Sequence, residues 1–213
     1  MDTPSTYVIT IGRELGSGGK RVGELLAERL GIPVYDRRLI NLAAEEQGFD
    51  VSIFREADEI APRGSMGRLF RAIASPFSTY RNAYDNPLSH ESLFSVQTEI
   101  IQQKASTEDC IIVGRCSDYI LRDHPRHFSL FIRADMAERT QRVAQRFGIS
   151  EREAQDMIAK NDRLRADHHN FYAESTWADS RAYDLCINVS RLGIERTVTY
   201  ILPIIQAALA IGK

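Results

Sequence analysis

The chain has 213 residues, with 27 basic against 29 acidic side chains and a formal net charge of -2; 23 of the bases are arginine and four are lysine. A protein that coats nucleic acid draws most of its affinity from phosphate neutralisation and wants a net basic surface, which these totals exclude. At 43% hydrophobic and 26% charged, the composition is that of a globular protein with a buried core, outside the disordered and collagen-like classes.

Two readings of the arginine excess stand side by side. One is a compositional bias; the other is that some arginines serve as planar forks for phosphate, where lysine offers only a point charge. Cys110, Cys116 and Cys186 are odd in number and form no CxxC pair, so neither a disulfide framework nor a zinc ribbon is encoded and a reducing cytoplasm is expected. The start of the chain, MDTPSTYVITIG, lacks a basic segment followed by a long apolar one, so no signal peptide is expected. The apolar stretch 200–211 is broken by Pro203 and Gln206 and is shorter than the roughly 20 residues a bilayer requires. It reads as a terminal helix packed on the core.

In chain order, Tyr7-Val8-Ile9-Thr10-Ile11 is β-rich and almost continuously apolar before Gly12, the pattern of a strand buried on both faces of a parallel sheet. A glycine-rich turn follows. Val22, Leu25, Leu26 and Leu30 then mark one face of a helix that Gly31 ends. Ile32-Pro33-Val34-Tyr35 predicts a short extended piece ending at Asp36, and 39–46 returns to helical spacing. Leu93, Val96, Ile100 and Ile101 mark a long amphipathic helix, followed by a strand at Cys110-Ile111-Ile112-Val113-Gly114. A third long strand is predicted at Phe128-Ser129-Leu130-Phe131-Ile132, and a polar helix over 136–147. Ser150-Glu151-Arg152-Glu153 matches a capping box that starts another helix. Leu185-Cys186-Ile187-Asn188-Val189 is the last strand, and the closing helix from Ile194 should kink or restart at Pro203.

Strands alternating with helices predict a three-layer α/β/α sandwich with a parallel, five-stranded sheet. One domain over 1–213 is expected, carrying an inserted segment at 50–90 and a lid-like helical segment at 150–183. Residues 61–86 hold four prolines or glycines, four arginines and, through Tyr84, no acid. They read either as a surface excursion or as a positive flap over a phosphate ligand.

In such sheets ligands gather at the carboxyl ends of the strands. The ends here carry Gly12-Arg13, Asp36-Arg37, Gly114-Arg115 and Asn188-Val189-Ser190. Gly16, Ser17, Gly18, Gly19, Lys20 and Arg21 lie between the first strand and first helix, where backbone N–H groups and a helix start cradle phosphate. The match to the Walker A pattern GxxxxGK[ST] is imperfect in two ways. With Lys20 as its lysine, the first glycine falls on Glu14 and the magnesium-binding Ser/Thr on Arg21. With Gly16-Ser17-Gly18 set on the usual GSG, the lysine position falls on Gly19.

GRELGSGGKRVGELLAERLGIPVYDRRLI, LFSVQTEIIQQKA, CIIVGRCSDYIL and ADSRAYDLCINVSRLGIE, in that order, resemble the cytidylate kinase-like family of P-loop nucleoside monophosphate kinases. The likeness runs over 7–202. It implies transfer of a phosphoryl group from ATP, with Mg2+, to a nucleoside monophosphate, foremost CMP or dCMP. By the same resemblance Lys20, Arg163 and Arg165 are catalytic candidates, Asp36 and Arg115 bind the acceptor, and Arg139 and Arg142 face the lid. Magnesium held through the phosphates would be served by Ser17 and Asp118. Cys116 stands where those kinases carry an aspartate, and Arg37-Arg38 replace small residues after Asp36. A non-catalytic nucleotide sensor and a kinase of another small acceptor are the rival readings; no nucleic-acid or membrane partner is expected. Asp167-His168-His169 is a poor metal motif, because neighbouring helical side chains diverge by roughly 100°.

Overall fold

The structure is a computed structural model in which residues 6–36, 39–40 and 87–211 are described, 87–93 by their helical backbone alone. The chain divides into two compact units, Met1–Asp36 with Gln102–Lys213, and Arg37–Ile101.

In the larger unit, β1 (Val8–Arg13) leads through the glycine turn into α1 (Gly19–Leu30), and β2 (Val34–Tyr35) follows. The helix α2 (Pro87–Thr107) begins in the smaller unit and ends in the larger one. Then come β3 (Cys110–Val113), the one-turn α3 (Ser117–Ile120), β4 (His127–Arg133), α4 (Met136–Phe147), α5 (Glu151–Tyr172), β5 (Leu185–Asn188) and α6 (Ile194–Ala208). The strands form one sheet of five in the order β2-β3-β1-β4-β5, parallel throughout. This is the predicted sheet.

Its central strands are apolar on both faces because helices cover both. Val8, Ile9 and Ile11 of β1, Ile111 and Ile112 of β3, and Leu130 and Ile132 of β4 have no exposed surface. Val22 and Leu26 of α1 and Val198, Ile201 and Ile205 of α6 join the same core. Of the predicted apolar stripe on α2, Ile100 and Ile101 are each 1% exposed and Val96 is half-buried.

Element ends follow local chemistry. Gly31 and Gly148 close α1 and α4 in the left-handed conformation, their N–H groups returning to Ala27 O and Ala144 O, as helix-ending glycines do. The capping box of α5 is present in full: the Glu153 N–H donates to Ser150 Oγ at 3.3 Å, and the Ser150 N–H to Glu153 Oε2 at 2.9 Å. The Ser150→Ala variant should lose about 1 kcal/mol of stability, read as a lower urea midpoint with unchanged slope. A midpoint equal to wild type would show that the box adds nothing. One local expectation differs. α6 runs from Ile194 to Ala208 with Pro203 inside it, so it does not restart at the proline; Ile201 and Ile205 on either side are buried. The predicted helix beyond Ile40, the 61–86 arginine stretch and most of the 50–90 segment lie outside the described residues.

Candidate active site

The order of strands decides where a ligand can sit. From β1 the chain crosses to β2 on one side, and from β3 it crosses to β4 on the other. The switch point therefore opens between the carboxyl ends of the adjacent strands β1 and β3. Arg13 ends β1. Gly114 and Arg115 follow β3, and the Gly114 N–H bonds to Ile11 O at 3.0 Å. Gly114, Arg115 and Cys116 all have positive φ, at 80°, 65° and 54°. This run turns the chain sharply out of β3. The Arg13 guanidinium fills the space a side chain at position 114 would need: a Cβ there would stand 1.9 Å from Arg13 Nη1. The two glycine-arginine pairs of the sequence thus meet at one crevice.

The glycine loop borders the same strand end. Gly16 (φ 78°) and Gly18 (φ 84°) are left-handed, and Gly18 is the N-cap of α1 without a capping side chain. Helical bonding starts with the Val22 N–H on Gly18 O at 3.0 Å, so the N–H groups of Lys20 and Arg21 and the positive end of the helix dipole are left at the helix start outside the helical bonding. No acid occupies that first turn. Close packing explains each glycine: a Cβ on Gly16 would lie 2.9 Å from Arg139 O, on Gly18 2.6 Å from Ile194 Cδ1, and on Gly19 2.6 Å from Arg13 Cβ.

Three of the predicted arginines brace this loop and the strand end before it by their carbonyls. Arg139 Nε donates to Leu15 O at 2.8 Å, Arg142 Nη1 to Gly16 O at 3.2 Å, and Arg165 Nη1 to Arg13 O at 3.0 Å. In a trans peptide the carbonyl and the following N–H point in opposite directions. Holding the Leu15 carbonyl on Arg139 therefore turns the Gly16 N–H the other way, away from Arg139. Arg139 is 4% exposed and also engages Asp162 and Glu14, the latter at 3.3 Å. Asp162 accepts the Leu15 N–H at 2.8 Å, and Glu14 accepts the Ala134 N–H at 3.1 Å. Burial holds the Glu14 carboxyl above its ordinary range, outweighing the Ala134 N–H and Arg139, which pull it down. Burial likewise lowers Arg165.

The remaining predicted residues fall in different places. Arg163, 85% exposed, extends to solvent beside Asp167, so of the two lid arginines only Arg165 turns to the loop. Arg21 is exposed next to Glu24. Lys20 reaches Asp36 across the end of β2, Nζ to Oδ2 at 2.7 Å. Arg115 is half-buried at the switch point. Ser17 is fully buried, and its hydroxyl donates to Glu14 O at 2.9 Å while accepting the Gly19 N–H at 3.3 Å. Asp118 is also buried, with Oδ2 2.7 Å from His169 Nε2. That pair fastens α3 to α5, and Cys116 Sγ donates to the His169 carbonyl beside it.

These placements bear on magnesium. Ser17 is engaged within its loop, Asp118 is tied to His169, and no group of three His, Cys, Asp or Glu side chains suited to a metal occurs among the described residues. The donor set does not fit a protein-held Mg2+. Two residues that organise the site, Glu14 and Asp162, escaped the sequence reading. Glu14 occupied a Walker glycine position and counted only as a mismatch. Asp162 lay between the lysine and arginines of Lys160-Asn161-Asp162-Arg163-Leu164-Arg165, where its i, i+3 spacing to Arg165 was the available signal.

The sequence pattern of the Cytidylate kinase-like family matches residues 8–191. The chain belongs to this family. It is 25% identical to a cytidylate kinase of Methanopyrus kandleri over 90% of its own length and 89% of the relative's. A cytidylate kinase of Methanobrevibacter smithii is 27% identical over 92% of this chain and 96% of that one. Among solved structures, a protein from Eubacterium ventriosum has a TM-score of 0.71 at 31% identity, covering 95% of this chain and 99% of the other. Shikimate kinase from Bacteroides thetaiotaomicron shares the fold, with a TM-score of 0.53 at 14% identity over 94% and 98%. Family and fold together place the chain among the P-loop kinases, a class that generally uses ATP with Mg2+. No helix among the described residues is long and apolar enough to cross a membrane.

Proposed function

We propose that the protein transfers the γ-phosphoryl group of ATP to a nucleoside monophosphate, with CMP or dCMP as the preferred acceptor. The observation that carries this reading is the glycine loop whose carbonyls are held on Arg139, Arg142 and Arg165, with the open start of α1 beyond it. Such a loop has donors for a polyphosphate and no side chain in their way. The relatives named cytidylate kinase support the choice of acceptor.

Roles divide between the loop and the switch point. The N–H groups of Gly16 and Gly18 in the loop and of Lys20 and Arg21 at the start of α1 take the ATP phosphates, while those of Ser17 and Gly19 are held within the loop on Glu14 O and Ser17 Oγ. Arg115 takes the acceptor phosphate, with Arg13 beside it to offset the repulsion between two anions. Arg139, Arg142 and Arg165 act as positioning residues through the loop carbonyls. Phosphoryl transfer asks little of the protein beyond placement and positive charge. Bound to the nucleotide, Mg2+ would neutralise charge shared between the phosphates, and its ligands would be phosphate oxygens and water.

A coupled assay of ADP release across CMP, dCMP, UMP, AMP and GMP tests the reading. Turnover is expected with CMP or dCMP. A well-folded protein that turns over none of the five is not a kinase of these nucleotides. The Arg115→Ala variant should raise the acceptor KM by about 10- to 100-fold, as expected for loss of a charged hydrogen bond of about 1.5–3 kcal/mol. The KM for ATP should stay near wild type. A larger change in the ATP KM than in the acceptor KM would move Arg115 to the other substrate.

A further inference from the structure

The structure resolves the two Walker registers. The glycine that closes the phosphate loop and caps α1 is Gly18, and the helix starts at Gly19. The residue after the closing glycine, the place of the Walker lysine, is therefore Gly19, and the next residue, the place of the Ser/Thr that holds magnesium, is Lys20. Position 19 accepts no side chain, since a Cβ would stand 2.6 Å from Arg13 Cβ. Position 20 has no oxygen for a metal. It carries instead an ammonium group 2.7 Å from the carboxylate of Asp36, the residue after strand β2.

We infer that the Lys20 ammonium, held by Asp36, is a built-in cation at the phosphate loop and takes the place that a protein-bound magnesium ion has in other P-loop kinases. Three observations carry this. The ammonium belongs to the second residue of α1, so it is carried by the first turn of the helix that the glycine loop leads into. Its partner is a carboxylate, the same class of group that would otherwise face a metal. The two remaining candidate metal ligands are engaged elsewhere, Ser17 with Glu14 O and Asp118 with His169. Folding does not account for the pair: Lys20 is 59% exposed, and ion pairs at that exposure contribute little to stability. A tethered ammonium has a use there that does not depend on folding. It offers a fixed positive charge to a phosphate oxygen without the cost of stripping water from a divalent ion.

The inference rests on the nucleotide-binding role proposed above and specifies how the charge is supplied. It is tested by calorimetric titration of ADP into the full chain, once in excess EDTA and once in Mg2+, for wild type, Lys20→Ser and Lys20→Arg. Wild type and Lys20→Arg should bind ADP with similar Kd in both buffers. Lys20→Ser, which places a hydroxyl at the metal position and removes the ammonium, should bind at least about tenfold more weakly in EDTA than in Mg2+, a difference of about 1.4 kcal/mol. Thermal melts of the three proteins without ligand should coincide, because the pair is exposed. Wild-type binding that weakens about tenfold or more in EDTA overturns the inference and leaves the nucleotide-binding reading intact. The same outcome follows if Lys20→Ser shows the wild-type ratio. No ADP binding by wild type in either buffer overturns both.

Discussion

Arg139→Ala is expected to lower the unfolding free energy by about 3 kcal/mol, the low end of the range for removing one partner of a buried ion pair. The low end applies because its partners retain some exposure, 16% for Asp162 and 21% for Glu14. One guanidinium serves three acceptors: Leu15 O, Asp162 and Glu14. Truncation leaves two carboxylates facing each other beside the phosphate loop and frees the Leu15 carbonyl. Lysine keeps the charge without the planar fork, so Arg139→Lys should recover only part of the loss.

The pH dependence supplies a second readout. Burial already raises Glu14 in the folded protein. Without Arg139, which pulls it down, the Glu14 carboxyl should be raised further above its unfolded value. Acids raised in the folded state bind more protons there than in the unfolded chain, so stability falls as pH rises from the unfolded pKa, roughly 4. The deficit of Arg139→Ala against wild type should therefore be smallest near pH 4 and grow toward neutrality. Urea denaturation at a series of pH values checks this; a deficit independent of pH would mean that the lost energy is packing alone.

Gly16→Ala should have the largest effect on ligand binding. Two costs coincide at this position. A left-handed alanine costs about 1–2 kcal/mol, and its Cβ would lie 2.9 Å from Arg139 O and 3.0 Å from Val143 Cγ2. One obstacle is backbone, so the loop must move rather than the neighbour, and its N–H groups lose their common aim. ADP affinity should fall by about tenfold or more, at about 1.4 kcal/mol per decade. Gly31→Ala is the control. Gly31 is also left-handed, at φ 69°, but nothing lies within 4 Å of its Cβ position. It should lose stability and keep wild-type ADP binding. Equal ADP affinities in the two variants would show that the shape of the loop at Gly16 does not govern binding.

The arginines illustrate how far local pattern carries. Glycine-rich spacing and position after a strand were enough to mark the phosphate loop, because those requirements are set within a few residues. The same holds for Gly31, for the Ser150–Glu153 box and for the apolar strands, whose partners lie within one turn or whose burial follows from being apolar on both faces. Arg139, Arg142 and Arg165 were marked as lid or catalytic residues through resemblance. Their observed partners are carbonyls of Arg13, Leu15 and Gly16, more than a hundred residues away, and no local spacing encodes such a contact.

Sequence alone thus determined the class of fold, the five-stranded parallel sheet and the glycine loop between β1 and α1, since hydrophobic periodicity and glycine placement are short-range properties. Tertiary structure decided the rest. It set the strand order that brings Arg13 and Arg115 to one switch point and gave Arg165 to the loop while leaving Arg163 in water. It also chose between two Walker registers that the letters left equal, because only packing shows that Gly18 caps the helix and that Lys20 meets Asp36. The physical reason is common to all three. A charged side chain of four or five bonds can point many ways, and burial against distant backbone selects one of them.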